Sequence, residues 1–95
     1  MEFSKELRAA VLSGEITVSF RRWQRSKVKA GGRYRVGGGE IEVDSVELMP
    51  FFAIDAADLA RSGESDLESL RNRAAHAGRI LDDALLYRIE FHVVD

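Results

Sequence analysis

Between Thr17 and Arg21 every second residue is polar: Thr17, Ser19 and Arg21. Residues at i, i+2 and i+4 of an extended chain line one face, so this spacing offers two hydroxyls and a guanidinium to a common ligand. The planar donor fork of arginine suits a phosphate or a base edge. A hydroxyl can bind the same ligand or, with a base beside it, attack it. Arg22, Trp23, Arg25, Lys27 and Lys29 follow directly. An indole flanked by cations suits single-stranded nucleic acid, stacking on a base while the cations meet phosphates. If residues 25–29 are extended, Arg25, Lys27 and Lys29 present their charges on one side. Such phosphate contacts add salt dependence rather than sequence preference.

Each of these groups also has a plainer reading. Arg21 could pair with a carboxylate of its own chain, Trp23 could close one end of a core, and residues 25–29 could form a solvated loop. The Thr17, Ser19 and Arg21 face could simply meet solvent. The remaining chemistry is narrow. With no cysteine there is no disulfide, thiolate metal site or thiol nucleophile, and two histidines make a histidine-built metal site improbable. No metal and no cofactor are expected, and His76 and His92 read as solvent-facing or structural. Glu64 and Asp66 flank Ser65 at a helix start, where capping and dipole complementarity account for them. The Gly37-Gly38-Gly39 triplet has strands on both sides and no Lys-Ser/Thr after it, so it reads as a hairpin turn rather than a phosphate cradle.

These groups must be positioned by a small chain. Ninety-five residues allow one core and one domain, 1–95. No apolar run approaches the roughly 20 residues of a membrane span. The N-terminal MEFSKELRAAVLSG mixes charge through its apolar positions, unlike a secretion signal, and a cytoplasmic protein is expected. Net charge is −2, but residues 1–37 hold nine Lys/Arg against three Glu and residues 38–95 five Arg against thirteen Asp/Glu. Local field, not the total, steers a charged partner, so one flank is expected to be basic.

The patterning predicts helix, three strands, two helices, strand. Phe3, Leu7, Ala10 and Val11 share one helical face, with Ser4 as N-cap and Gly14 past the end. From Glu15 the period becomes two, placing Ile16, Val18 and Phe20 on a core face. Residues 33–36 form a second short strand. In EIEVDSVELM, Ile41 and Val43 have odd parity while Val46 and Leu48 have even parity, which predicts a β-bulge near Asp44 and Ser45. Helices are expected around Asp55 to Arg61 and after a cap at Ser65 or Asp66, with Leu67, Leu70 and Ala74 as the apolar stripe. LLYRIEFHVV alternates, with Leu85, Tyr87, Ile89, Phe91 and Val93 on one side and Leu86, Arg88, Glu90 and His92 on the other. Few strands and a bulge are best reconciled by a partly closed barrel, which limits raw sheet edges.

In this order the segments resemble the ASCH domains, relatives of the PUA RNA-binding barrels. The family frame G-x-K-T-x-T-x-R resembles GEITVSFR, Gly14 to Arg21, followed by KAGGRYRV, the bulged EIEVDSVEL, the helical insertion IDAADLARSGESDLESLR and the final YRIEF. The resemblance covers nearly the whole chain. It implies an α+β fold, a small PUA-like partly closed β-barrel with an N-terminal helix and a helical insertion before the last strand. It also implies RNA binding or processing, and in some small bacterial members hydrolysis of N4-acetylcytidine nucleosides. That activity uses the motif lysine, the second motif threonine and a glutamate of the insertion. The corresponding positions here are Ile16, Ser19 and, within a residue or two, Glu64. Isoleucine can neither accept a proton nor stabilise an anion, so catalysis by Ser19 and Glu64 lacks its activating group.

The expected partner is therefore RNA, another single-stranded nucleic acid or a nucleotide-sized ligand. It would lie in a cleft floored by Thr17, Ser19 and Arg21 and rimmed by Arg22, Trp23, Arg25, Lys27 and Lys29. A hydrolase acting on a modified nucleoside or on RNA is the second reading. A protein-interaction module using the acidic half, Asp58 included, is the third.

Overall fold

A computed structural model describes residues 1–75 and 78–94; His76 therefore lies outside the described residues. The elements are α1 (Lys5–Leu12), β1 (Val18–Arg21), β2 (Arg33–Val36), β3 (Gly39–Pro50), a 3₁₀ turn (Phe51–Ala53), α2 (Ala56–Arg61), α3 (Leu67–Ala74) and β4 (Leu85–Val94). The strands form one antiparallel sheet in the order β1-β4-β3-β2. β1 and β2 are its two edges, so the sheet is open and not closed into a barrel. Among the described residues no helix is long and apolar enough to cross a membrane.

Local chemistry accounts for most boundaries. Ser4 precedes α1 in an extended conformation, although its hydroxyl makes no capping bond; past the helix end, Gly14 adopts φ 87°. Asp55 accepts from the amide of Asp58 to cap α2, and Asp66, rather than Ser65, accepts from the amide of Ser69 to cap α3. Val36 pairs with Gly39, leaving Gly37-Gly38 as the two-residue hairpin turn. The Gly39 position also admits α1: a Cβ built there would stand 2.5 Å from a methyl of Leu12.

The phase slip in β3 is a bulge at Asp44. Val43 pairs with Phe91 and Ser45 with Glu90, and the extra residue restores Val46 opposite Ile89. This keeps Ile41, Val43 and Val46 on one face.

Both faces of the sheet are covered, and this corrects the sequence reading. One cluster joins α1 to the odd-numbered face of β4: Phe3, Val11, Ile16, Val28, Val36, Ile41, Val43, Ile89 and Phe91. Within it the Phe3 and Phe91 rings meet with centroids 5.7 Å apart. The second cluster, Val18, Phe20, Phe51, Ile54, Leu70, Ala74, Ile80 and Leu86, lies under α3 and the segments around it. Ile16 thus belongs to a different core from Val18 and Phe20. The strand begins only at Val18, and before it the amide of Thr17 donates to the carbonyl of Arg61 at 2.9 Å. That anchor lies outside the pleat, so the alternation does not carry back through Thr17. Leu86, expected on the polar side of β4, is fully buried, whereas Leu85 and Leu67 are exposed.

Candidate functional site

A cleft of about 170 Å³ opens where α1 begins, β1 ends and the turn between α2 and α3 meets α3. Ser19, Arg21 and Arg22 of β1 and its continuation line it, together with Ser62 and Glu64 of the turn and Arg73 of α3. Phe3, Leu7, Phe20, Leu70 and Ala74 make its apolar walls. Its charged lining is three arginines, Arg21, Arg22 and Arg73, against two glutamates, Glu2 and Glu64.

Arg21 is the group the sheet holds most deliberately. Its Nε donates to Ser19 Oγ at 2.8 Å and its Nη2 to the carbonyl of Glu2 at 2.6 Å. The guanidinium carbon stands 4.8 Å from the Phe3 ring centroid and 5.9 Å from that of Trp23, both within cation–π range. Burial pushes the guanidinium below its ordinary pKa range, and the nearby charge of Glu2 pulls the other way. Arg33, Arg61, Arg71, Arg73 and Arg88 each form an ion pair with a carboxylate. Arg21 forms none among the described residues. A desolvated cation held by neutral acceptors and aromatic faces keeps its charge available to an anion.

Ser19 is 9% exposed and accepts the Arg21 bond; Glu64, also 9% exposed, is ion-paired with Arg73 Nε. This corrects the reading of Glu64 as a helix-start residue explained by dipole complementarity: it is a buried carboxylate with a dedicated cation. The two residues assigned to catalysis by resemblance do share one cleft. Arg22 donates from Nη1 to the carbonyl of Leu85 at 3.2 Å.

The rest of the expected set lies elsewhere. Thr17 does not converge with Ser19 and Arg21, because its hydroxyl accepts from Arg61 Nε at 3.0 Å, on the other side of the sheet. Trp23 is half-buried against the first cluster and tilts onto Tyr87, with ring centroids 6.1 Å apart. Lys27 Nζ lies 5.9 Å from its ring. Trp23, Arg25, Lys27 and Lys29 are not part of the cleft lining. Arg25, Lys27 and Lys29 are exposed, and Arg33 at the end of the basic run is neutralised by Glu42 at 3.1 Å and Glu40 at 3.8 Å.

Sequence reasoning missed Ser62 and Arg73. Arg73 carried a usable signal, because Leu70, Arg73 and Ala74 fall on one side of a helix at spacings of three and four. A helix stripe that buries Leu70 and Ala74 brings Arg73 to the same edge.

No family model matches the sequence, and no curated protein matches it. Solved structures do. An ASCH domain from Lactobacillus crispatus JV V101 superposes with a TM-score of 0.76 at 22% identity, over 93% of this chain and 70% of that one. The chain has the fold of an ASCH domain. A protein from Enterococcus faecalis V583 carrying the family designation DUF984 gives the same TM-score and identity, over 95% and 68% of the two chains. The hypothetical protein PH0355 gives 0.73 at 13% identity, over 99% and 96%.

In this ASCH-type fold Ile16, at the position the motif gives to lysine, is 3% exposed. Its Cδ1 would stand 2.7 Å from a Cβ on Gly63, which adopts φ 82° and directly precedes Glu64. Apolar carbon thus stands at the motif's lysine position, packed in the core under Gly63 and outside the cleft lining. The cation that meets Glu64 is Arg73 instead.

Proposed function

We propose that the cleft binds an anionic ligand of nucleotide size, either free or as one unit of single-stranded RNA. The observation that carries this reading is Arg21, a half-buried cation without a carboxylate partner among the described residues, lining with Arg22 a cleft with apolar walls. Size sets the ligand class. Pockets for drug-sized ligands run roughly 300–1,000 Å³, so a smaller cleft admits one base or sugar-phosphate unit and leaves further chain outside. Trp23 with Lys27 above it, and the exposed Arg25 and Lys29, supply a stacking surface and phosphate contacts for that remainder. Ser4 lines the cleft with a hydroxyl that caps no amide of α1, which leaves it free to donate to a ligand. The PUA-like resemblance of the sequence points the same way.

Trp23 is the only tryptophan, so intrinsic fluorescence reports on its surroundings. Titration with short single-stranded RNA is expected to quench it, with affinity falling as salt rises. Two or three phosphate contacts correspond to a log–log slope of about −1.4 to −2. No fluorescence change at low salt refutes the proposal.

A second reading rests on one specific observation, the presence of Ser19 and the buried carboxylate of Glu64 on the same cleft. Against it, the Ser19 hydroxyl is held by Arg21, Glu64 is held by Arg73, and Ile16 offers no activating charge. We expect no turnover of N4-acetylcytidine or of end-labelled RNA. Turnover that disappears in both Ser19→Ala and Glu64→Gln would replace the binding reading with a hydrolytic one.

A further inference from the structure

We propose that Glu42, Asp44 and His92 form a surface site for a divalent transition-metal ion of the Zn²⁺ class. The three residues each offer one ligand atom, and these atoms all lie within 4.8 Å of one another. The backbone produces this arrangement. Glu42 and His92 are register partners across β3 and β4, so their side chains leave the same face of the sheet. Asp44 is the extra residue of the bulge, and bulges re-aim side chains. Here the bulge turns Asp44 onto the same imidazole, with Oδ1 2.8 Å from His92 Nδ1.

The separations suit coordination. Two donors each about 2.1 Å from a tetrahedral metal stand about 3.4 Å apart, so the Asp44–His92 pair, at 2.8 Å, opens by about half an ångström to admit one. An ion between them would replace the shared proton and draw in Glu42 as a third ligand. One imidazole and two carboxylates form a mixed donor set that favours Zn²⁺ over Mg²⁺, which prefers oxygen ligands and retains its waters. His92 and Asp44 are both exposed, so the remaining positions are open to water.

The groups facing the site set its electrostatics. Glu40, two residues before Glu42 on β3, is shared with Arg33 and lies opposite Arg35, while Glu90, two residues before His92 on β4, is taken up by Arg61 and Arg88. Arg33 of β2 opposes binding, because its Nε occupies Glu42 Oε1 at 3.1 Å. The site lies outside the cleft lining, and its existence does not depend on what the cleft binds.

Calorimetric titration of the intact chain with ZnCl₂, compared with MgCl₂, tests the proposal, with circular dichroism confirming that each variant is folded. The expected result is 1:1 Zn²⁺ binding reversed by EDTA and no binding of Mg²⁺ at the same concentrations. His92→Gln and Asp44→Asn should each weaken Zn²⁺ at least tenfold, and Arg33→Ala should tighten it several-fold by freeing Glu42. Absence of Zn²⁺ binding, or affinities within twofold of one another in the native chain, His92→Gln and Asp44→Asn, overturns the assignment.

Discussion

Arg21→Ala is expected to weaken binding of short single-stranded RNA or of a nucleotide by about 10- to 100-fold. Charge-assisted hydrogen bonds contribute about 1.5–3 kcal/mol each, and every 1.4 kcal/mol is a factor of ten. Arg21 is expected near the upper end because it is desolvated, and screening by water and salt is weak there. Arg21→Lys should restore only part of the affinity. An ammonium cannot hold Ser19 and the Glu2 carbonyl through two fixed nitrogens while presenting a third to the ligand.

Comparison variants separate this role from simple charge loss. Arg25→Ala removes an exposed cation outside the cleft and should shift affinity less than threefold while flattening the salt slope by about 0.7. Arg21→Ala should lower the thermal midpoint only modestly, since Ser19 loses one partner in a site that opens to water. The measurement is the Trp23 titration at constant salt, with melting curves alongside. An affinity for Arg21→Ala within threefold of the native chain removes Arg21 from the site.

The placement of Arg21 shows where the sequence was sufficient and where it was not. Features set by neighbours in the chain were legible: the helix around Leu7 and Val11, the Gly37-Gly38 turn, the bulge at Asp44, and β4. Each follows from a period or a turn requirement spanning a few residues. The order of the quoted segments also led to the ASCH-type fold. What alternation does not encode is whether the second face of a strand meets water or another layer. β1 alternates apolar and polar, yet Ser19 is only 9% exposed because that face of the sheet also carries an apolar layer. Pairings between distant residues were equally hidden. Thr17 is claimed by Arg61, 44 positions away, and Glu64 by Arg73, which the patterning did not single out. The cleft arises from this layering, since it needs α1, β1 and the α2–α3 turn together.

The acidic half of the chain behaves in the same way, and the largest expected loss of stability lies there. Asp58 accepts both Nε and Nη2 of Arg88, at 2.7 and 2.9 Å, with side chains only 16% and 12% exposed. Glu90 joins Arg88 to Arg61, and Arg61 reaches Thr17. The network ties α2 to β4 and to the start of β1. Asp58 is therefore an internal partner rather than a docking group, and Asp58→Lys would test folding before it tested association. Removing one member of a buried pair costs about 3–5 kcal/mol, because the remaining charge stays desolvated. The partial exposure here places Asp58→Ala near about 3 kcal/mol, or roughly a 15 °C drop in melting temperature for a domain of this size. The double variant Asp58→Leu with Arg88→Met should recover much of that loss, since neither charge is then left unpaired. The same network fixes the pH dependence. The hydrogen bond from Arg88 holds Asp58 below the usual carboxylate range, and that from Arg61 does the same for Glu90. Carboxylates depressed by folding contribute stability above their unfolded pKa, about 4, and lose it as pH falls through the lower folded values. Melting curves from pH 6 down to pH 2 should show this decline in the native chain and a shallower one in Asp58→Asn. Equal slopes, or a double variant no more stable than Asp58→Ala, would mean that the pair does not couple α2 to the sheet.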